Sequence, residues 1–233
     1  PAQTTKSGLD PSKFKTDSTA LYTLTNENGM EVCITNYGGR IVSLMVPDKD
    51  GTMRDVVLGF DNVADYLPQN NKTDFGAIIG RYANRIAKGE FAIDGVKYQL
   101  RINNGPNALH GGPEGFCNQI WNSEVVGKTV VFSLFSADGF ENYPGNMIVK
   151  AKYTFSDDNE LTLELSAVSD KKTIVNLTNH TYFNLAGEDA GTVLNHTLTL
   201  ACSHYLPTDD TLIPTGEVAA VAGTPMDFTT AKK

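Results

Sequence analysis

The stretch Glu160-Leu161-Thr162-Leu163-Glu164-Leu165-Ser166 alternates strictly between polar and apolar residues. Successive side chains of a β-strand point to opposite faces of its sheet, so this alternation places the leucines together on one face. The preceding Asp157-Asp158-Asn159 is typical of a tight turn, and residues 146–155 ahead of it are rich in β-forming types. The sequence therefore predicts an antiparallel hairpin with one buried face over residues 146–169.

Similar hairpin patterns lie nearer the N-terminus. Asp94-Gly95, a favoured type I′ turn pair, separates two β-like runs within residues 89–100. Gly127-Lys128 separates two more within residues 119–135, where apolar residues occur on both sides of the turn. These local signals predict two further hairpins.

Three more regions carry strand-like sequence. Within residues 30–46, two β-rich runs are joined across Tyr37-Gly38-Gly39, where paired glycines permit positive φ. Residues 172–179 and 195–203 also alternate and predict strands. No long helical pattern and no repeat of roughly 20–50 residues is present. The predicted fold is all-β, a large antiparallel β-sandwich.

The composition fits a globular chain, with 233 residues of which 40% are hydrophobic and 20% charged. We expect one domain over residues 19–233, because all-β sandwiches often reach this size as a single unit. Residues 1–18 are polar and rich in Thr, Ser and Lys, which predicts an N-terminal extension. A start at Pro1 without a signal-peptide apolar core favours a processed chain, periplasmic or exported rather than cytoplasmic.

Charge and cysteine content exclude several classes of function. The formal net charge is -8, so the field of the whole molecule repels polyanions and a nucleic-acid partner is not expected. No apolar run approaches the roughly 18 residues that a membrane span needs. Cys33, Cys117 and Cys202 show no CxxC spacing, so neither a disulfide framework nor a zinc site is indicated. We expect them to be small buried side chains.

Two glycine-containing segments offer polar groups that suit sugar binding. Gly80-Arg81-Tyr82-Ala83-Asn84-Arg85-Ile86 carries guanidinium and amide donors whose forked geometry matches adjacent hydroxyls. A solvated turn with surface arginines is the alternative, and exposed arginine is the usual case. In Asn107-Ala108-Leu109-His110-Gly111-Gly112, glycines next to the histidine permit close approach to a ligand. An ordinary turn remains the alternative for this second segment.

The third polar segment spans residues 173–185 and mixes three asparagines, several threonines and His180 into a β-like run. Buried amides need hydrogen-bond partners, so this composition suits a functional face better than a purely structural strand. Histidine titrates near pH 6.5, so His180 is a candidate acid or base at neutral pH, while a structural role remains open on spacing alone.

Other chemistries find no support in the sequence. There is no GxSxG elbow, P-loop or GxGxxG pattern, which removes the usual hydrolase, phosphate-cradling and dinucleotide-binding signals. His196 and His204 lie eight residues apart, roughly 26 Å along a strand, which is too far to share a metal ion.

Taken together, the ordered motifs of the chain resemble those of the aldose 1-epimerase (galactose mutarotase) family over residues 21–228. The motifs that carry the resemblance are Ile79-Gly80-Arg81-Tyr82-Ala83-Asn84-Arg85-Ile86, Leu109-His110-Gly111-Gly112, Tyr143-Pro144-Gly145, Asn176-Leu177-Thr178-Asn179-His180-Thr181-Tyr182-Phe183-Asn184-Leu185 and Thr211-Leu212-Ile213-Pro214-Thr215-Gly216-Glu217. The resemblance implies a large antiparallel β-sandwich with an open sugar cleft. It implies no metal or organic cofactor.

The resemblance also implies a reaction and a set of roles. The family interconverts the α and β anomers of free hexoses such as galactose and glucose. By position in the motifs, His180 resembles the catalytic proton donor to the ring oxygen. Asn84, Arg85, His110 and Tyr182 resemble groups that contact the sugar. The expected partner is therefore a small aldohexose.

One part of the family pattern is missing. Members continue past the equivalent of Lys233, and their catalytic glutamate and a sugar-binding aspartate lie there, so we expect the sandwich to be truncated at its C-terminus. Glu141, Glu188 and Glu217 lie in other segments and match no catalytic motif. A non-catalytic carbohydrate-binding protein or sugar sensor is therefore an alternative. An enzyme for phosphorylated hexoses is a third reading, which would need an added cationic pocket.

Overall fold

The computed structural model describes residues 4–233, which form β-strands and short 3-10 helices but no α-helix. The strands are β1 (Leu21–Thr25), β2 (Glu31–Thr35), β3 (Arg40–Pro47), β4 (Met53–Asp55), β5 (Ile78–Ile79), β6 (Arg85–Ile86), β7 (Glu90–Ile93), β8 (Val96–Gln99), β9 (Ala108–Leu109), β10 (Asn122–Val126), β11 (Thr129–Ser136), β12 (Met147–Phe155), β13 (Leu161–Ser169), β14 (Thr178–Asn179), β15 (His204–Tyr205) and β16 (Ala219–Ala220). The 3-10 helices are Pro11–Phe14, Ala64–Tyr66, Ala87–Gly89, Phe116–Asn118 and Phe140–Asn142.

Two antiparallel four-stranded sheets dominate the structure, with strand orders β1-β2-β3-β4 and β10-β11-β12-β13. The hairpin predicted from the alternating leucines is confirmed, because β12 and β13 pair from Met147↔Ser169 to Phe155↔Leu161. The two other predicted hairpins are confirmed as β7–β8 and β10–β11, and the glycine-joined runs pair as β2–β3.

The core lies between the two large sheets. Met147, Val149 and Tyr153 alternate along β12 and are at most 1% exposed, and they pack in one cluster with Val32 and Ile34 of β2. Fully burying one side chain of this kind stabilises the fold by about 1.5–3 kcal/mol. The Tyr153 hydroxyl also donates a 2.7 Å hydrogen bond to the carbonyl of Gly39, across the interface. The predicted antiparallel β-sandwich is confirmed.

Turn geometry follows the local sequence at the predicted positions. Asp94 and Gly95 have φ of 50° and 81°, as a type I′ hairpin turn requires. Gly38 has φ 74°, and a Cβ there would lie 2.4 Å from the carbonyl oxygen of Cys117. Only glycine fits this second turn, which brings residues 117–119 against the start of β3.

Two strand predictions near the C-terminal half are wrong. Of residues 172–179, only Thr178–Asn179 pairs as a strand, and residues 195–203 form no strand beyond an isolated bridge between Leu198 and Lys232. Alternating residues give a segment one apolar face, but a strand also needs a neighbouring strand to hydrogen-bond with its backbone N–H and C=O groups. No strand of the described residues runs beside 195–203, and Leu198 and Leu200 are correspondingly exposed.

The segment ahead of β1 packs onto the sandwich. Leu9 and Phe14 are buried in a cluster with Tyr37, Val42 and Tyr66. None of the helices described for residues 4–233 is long and apolar enough to cross a membrane.

The three cysteines differ in their surroundings. Cys33 and Cys117 are buried as expected, whereas Cys202 is exposed, contrary to the prediction. It belongs to residues 195–203, which form no strand and leave most of their side chains exposed.

Candidate active site

Short strand pairing fixes the position of His180. β14 pairs with β5, and just beyond it the backbone N–H of His180 donates to the carbonyl of Ala77 at 2.8 Å. The His180 carbonyl accepts in turn from the N–H of Gly76 at 3.2 Å. A Cβ on Gly76 would lie 1.9 Å from the carbonyl oxygen of Ile41, so the chain here runs tightly against β3. His180 is therefore held by backbone contacts on a rigid part of the fold.

A second loop places His110 beside it. β9 pairs with β6, and His110 follows β9 in the left-handed region, with φ 53°. Gly111 has φ 83°, and a Cβ there would lie 1.8 Å from the carbonyl oxygen of Gly80. The glycine therefore lets the His110 loop press directly against the backbone at residue 80.

Asn84 and His110 exchange two hydrogen bonds that define the state of the imidazole. The N–H of His110 donates to the carbonyl of Asn84 at 3.1 Å, and the N–H of Asn84 donates to Nδ1 of His110 at 2.9 Å. An Nδ1 that accepts a hydrogen bond carries no proton, so the neutral ring bears its proton on Nε2. His110 is thus a hydrogen-bond donor through Nε2.

The aromatic rings of the predicted site lie in contact. The His110 and His180 ring centroids are 5.2 Å apart and nearly perpendicular, and those of His180 and Tyr182 are 5.1 Å apart. Burial lowers the pKa of His110, with smaller effects of the same sign from His180 and Arg85 and an opposing effect from Asp74. His110 therefore stays neutral at the pH where an ordinary histidine begins to protonate.

Asn84 and Arg85 keep free donors near the two histidines. Nε of Arg85 donates to Oδ1 of Asn104 at 2.9 Å, while its Nη2 has no hydrogen bond among the described residues. Nδ2 of Asn84 is likewise without a partner in the described part of the chain, and the Asn84 side chain is exposed. The structure thus brings together all five residues that the sequence singled out, with the amide and guanidinium able to donate to a ligand.

Arg81 fits neither interpretation of residues 80–86 that the sequence offered, a sugar donor or a surface arginine. It is 1% exposed and donates to carbonyl oxygens of Ser136, Ala137, Pro144 and Gly145, and to Oγ of Ser136. Arg81 is therefore neither a sugar donor nor a surface residue. It holds the segment around β6 against the loop between β11 and β12.

Asp74 is a site residue that the sequence did not reveal. Oxygen and nitrogen atoms of Asp74, His110 and His180 all lie within 4.8 Å of one another. Asp74 follows a polar loop, and no motif or periodicity marks it. It also lines a cavity of about 280 Å³ together with His110, Asn103 and Cys117. His180 and Tyr182 lie outside the lining of that cavity.

Two histidines and a carboxylate are a possible ligand set for a divalent metal, but the arrangement suits a hydrogen-bonded ligand better. The hydrogen bond from Asn84 leaves the Nε2 of His110 protonated, and a protonated nitrogen cannot coordinate an ion. No ion pair within 4.0 Å joins Asp74 to either imidazole. The ligands of a tetrahedral zinc ion, each about 2.0–2.2 Å from the metal, lie only about 3.5 Å from one another.

The three glutamates that match no catalytic motif differ in their surroundings. Oε1 of Glu141 accepts hydrogen bonds from Arg101 at 2.9 Å and from the N–H of Glu114 at 3.0 Å, so it supports the loop that follows His110. Burial raises the pKa of Glu188 to about 7, with the negative charge of Asp55 adding to the effect. Glu217 is exposed.

Fold and site together define a β-sandwich protein whose loops converge on a polar, imidazole-containing site. The model of the family described as aldose 1-epimerase matches residues 20–233, and the chain belongs to this family. The resemblance read from the motifs is thereby confirmed.

Named relatives agree with this assignment. The galactose mutarotase of Bos taurus is 48% identical over 199 residues, covering 85% of this chain and 57% of its own length. The aldose 1-epimerase of Escherichia coli K12 is 41% identical over 215 residues, covering 91% and 61%. The chain thus spans about three fifths of the length of these curated relatives.

Solved structures give the same picture. An aldose epimerase homologue from C. elegans superimposes with a TM-score of 0.87 at 33% identity, covering 92% of this chain and 65% of its own. The galactose 1-epimerase of Lactobacillus acidophilus NCFM gives 0.82 at 32% identity, covering 94% and 64%.

Proposed function

We propose that the whole protein interconverts the α and β anomers of free aldohexoses, such as galactose and glucose, by acid/base-catalysed ring opening. The observation that carries this proposal is the contact between His110 and His180, whose ring centroids are 5.2 Å apart. A backbone hydrogen bond holds His110 in its neutral form. Membership of the aldose 1-epimerase family supports it. Relatives named galactose mutarotase and aldose 1-epimerase support the class of substrate.

The reaction needs two proton transfers. A proton reaches the ring oxygen as its bond to C1 breaks, and another leaves the anomeric hydroxyl as that oxygen becomes the aldehyde carbonyl. Rotation about the C1–C2 bond then exposes the other face of the carbonyl, and the ring closes by the reverse transfers. One acid and one base must therefore act together.

Of the two imidazoles, His180 is the better candidate for the proton donor, because His110 is held in its neutral form. Protonating His110 at Nδ1 would set an N–H against the N–H of Asn84 and break their 2.9 Å hydrogen bond. The two rings in contact also disfavour a second positive charge. We therefore assign delivery of the proton to the ring oxygen to His180, while His110 donates through Nε2 to a sugar oxygen.

The remaining predicted residues bind the sugar in this scheme. Arg85 and Asn84 have donors without partners among the described residues, and the Tyr182 side chain is 45% exposed beside His180. Donors positioned on oxygens that gain negative charge as the ring opens lower the barrier. The scheme also needs a general base, a role that suits a carboxylate. The proposal concerns the whole protein, because this chain spans about three fifths of the length of its relatives.

Polarimetry of freshly dissolved α-D-glucose tests the proposal. We expect the whole protein to accelerate mutarotation over buffer, and His180→Asn to lose about 10²–10⁴-fold in rate because the acid is removed. His204→Asn, at an exposed histidine outside the site, is the matched control and should keep full activity. No acceleration by the wild type, or an active His180→Asn variant, would refute the proposal. Sugar binding without acceleration would instead support the non-catalytic reading.

A further inference from the structure

Asp74 lies in the proposed site with no assigned role. Its carboxylate and the two imidazoles have polar atoms within 4.8 Å of one another, yet none of the three side chains hydrogen-bonds to another. No two of these atoms are more than 4.8 Å apart, so a point between them lies within about 2.8 Å of each, which is hydrogen-bond reach for an oxygen atom. The gap between them therefore accommodates one oxygen atom that contacts all three groups.

The position of Asp74 is built into the fold. The fully buried guanidinium of Arg40 donates to the carbonyls of Thr73 at 3.2 Å and Phe75 at 2.9 Å, on either side of Asp74. It also donates to the carbonyl of Cys117, another lining residue of the cavity, at 2.9 Å. The backbone that carries Asp74 is thus fixed from both sides by one buried cation.

Neighbouring contacts tie the same segment to the two histidines. The N–H of Ala77 donates to the carbonyl of Asp74 at 3.0 Å, which closes a turn directly before β5, the strand that pairs with β14 ahead of His180. The ring of Phe75 packs edge-on against Tyr182 at 5.1 Å. Asp74 therefore has little freedom to move relative to His180 and Tyr182.

The donors and acceptors around the gap are complementary to a hydroxyl group. A hydroxyl both donates one hydrogen bond and accepts others, whereas an ionised carboxylate only accepts. The protonated Nε2 of His110 only donates in the neutral ring. One hydroxyl can therefore donate a hydrogen bond to Asp74 and accept one from His110.

We propose that Asp74 determines sugar specificity by binding one non-reacting hydroxyl of the aldohexose, at C2, C3, C4 or C6, jointly with His110. This inference rests on the proposed function for the identity of the ligand. A hydrogen bond to a charged acceptor discriminates strongly against a ligand that lacks the hydroxyl, because the carboxylate is then left without its partner.

The test compares wild type, Asp74→Asn and Asp74→Ala in the whole protein, with D-glucose and its four monodeoxy derivatives as substrates. We expect kcat/KM for glucose to fall about 10- to 100-fold in Asp74→Asn. One deoxy sugar should be a similarly poor substrate for the wild type, and on that sugar the variants should lose nothing further. Asp158→Asn, an exposed turn residue, is the matched control and should behave as wild type.

A purely structural role would lower kcat/KM equally for every sugar, and that result, or an unchanged kcat/KM, would overturn the inference. If the wild type does not accelerate mutarotation, the same sugars and variants are compared by calorimetric binding. Coupling between Asp74 and one hydroxyl in binding would then support this inference while the proposed function fails. The absence of coupling in both the rates and the binding would overturn the role of Asp74.

Discussion

Replacing Gly111 by alanine should destabilise the protein far more than the same change at a glycine with nearly the same φ. Gly111 and Gly95 have φ of 83° and 81°, so alanine pays the same left-handed penalty at both, about 1–2 kcal/mol. At Gly95 nothing lies within 4 Å of the new Cβ. At Gly111 the Cβ meets the Gly80 carbonyl oxygen at 1.8 Å and the Arg81 nitrogen at 2.7 Å.

Those neighbours are backbone atoms, so no side chain can rotate out of the way. The His110 loop must shift instead, and overpacking of this kind costs about 1–3 kcal/mol more. We therefore expect Gly95→Ala to lose about 1–2 kcal/mol and Gly111→Ala about 2–5 kcal/mol. The change in unfolded-chain entropy on replacing glycine is common to both variants and cancels in the comparison.

Urea denaturation followed by fluorescence of Trp121, the one tryptophan of the chain and 1% exposed, measures both values. An NMR titration adds a local readout. Displacing the loop should relieve the burial that lowers the pKa of His110, so this pKa should rise in Gly111→Ala and stay unchanged in Gly95→Ala. Equal losses of stability in the two variants would refute the steric reasoning.

Two further predictions concern the contributions of the charged side chains of Arg81 and Glu188 to stability. Arg81→Lys should cost about 3 kcal/mol or more in urea denaturation, because lysine cannot satisfy the four carbonyl groups that Arg81 binds, whereas Arg54→Lys at an exposed ion pair should cost under about 1 kcal/mol. Equal costs would contradict the role given to Arg81. The pKa of Glu188 is raised from 4.5 to about 7 in the fold, so its contribution to stability is present below pH 4.5 and is lost as the pH rises through 7. Relative to wild type, Glu188→Gln should remove this part of the fall in urea midpoint between those pH values, and identical pH profiles would count against it.

Local chemistry decided which parts of the fold were predictable. Asp94-Gly95 and the leucines of β13 carry their signal within a few residues, so the hairpins followed from sequence. Residues 195–203 alternate just as clearly, but no described strand lies beside them, and alternation does not reveal whether a partner exists.

The site divides in the same way. His110 and His180 were found through ordered motifs, although their contact at 5.2 Å depends on the pairing of distant strands. Arg81 was misread because its carbonyl partners lie 55–64 residues further along the chain. Asp74 was missed because a single carboxylate in a polar loop has no pattern, and the contacts that fix its position, such as those of the buried Arg40, come from distant residues.

The hydrogen bonds between Asn84 and His110 make the protonation of the imidazole independent of the side chain at position 84. The hydrogen bond that sets the proton on His110 comes from the peptide N–H of residue 84, not from its side chain. Any residue except proline keeps that N–H, provided it tolerates φ near 68°. A substitution at position 84 that tolerates this φ would therefore change the side chain and leave the protonation pattern of the imidazoles unchanged.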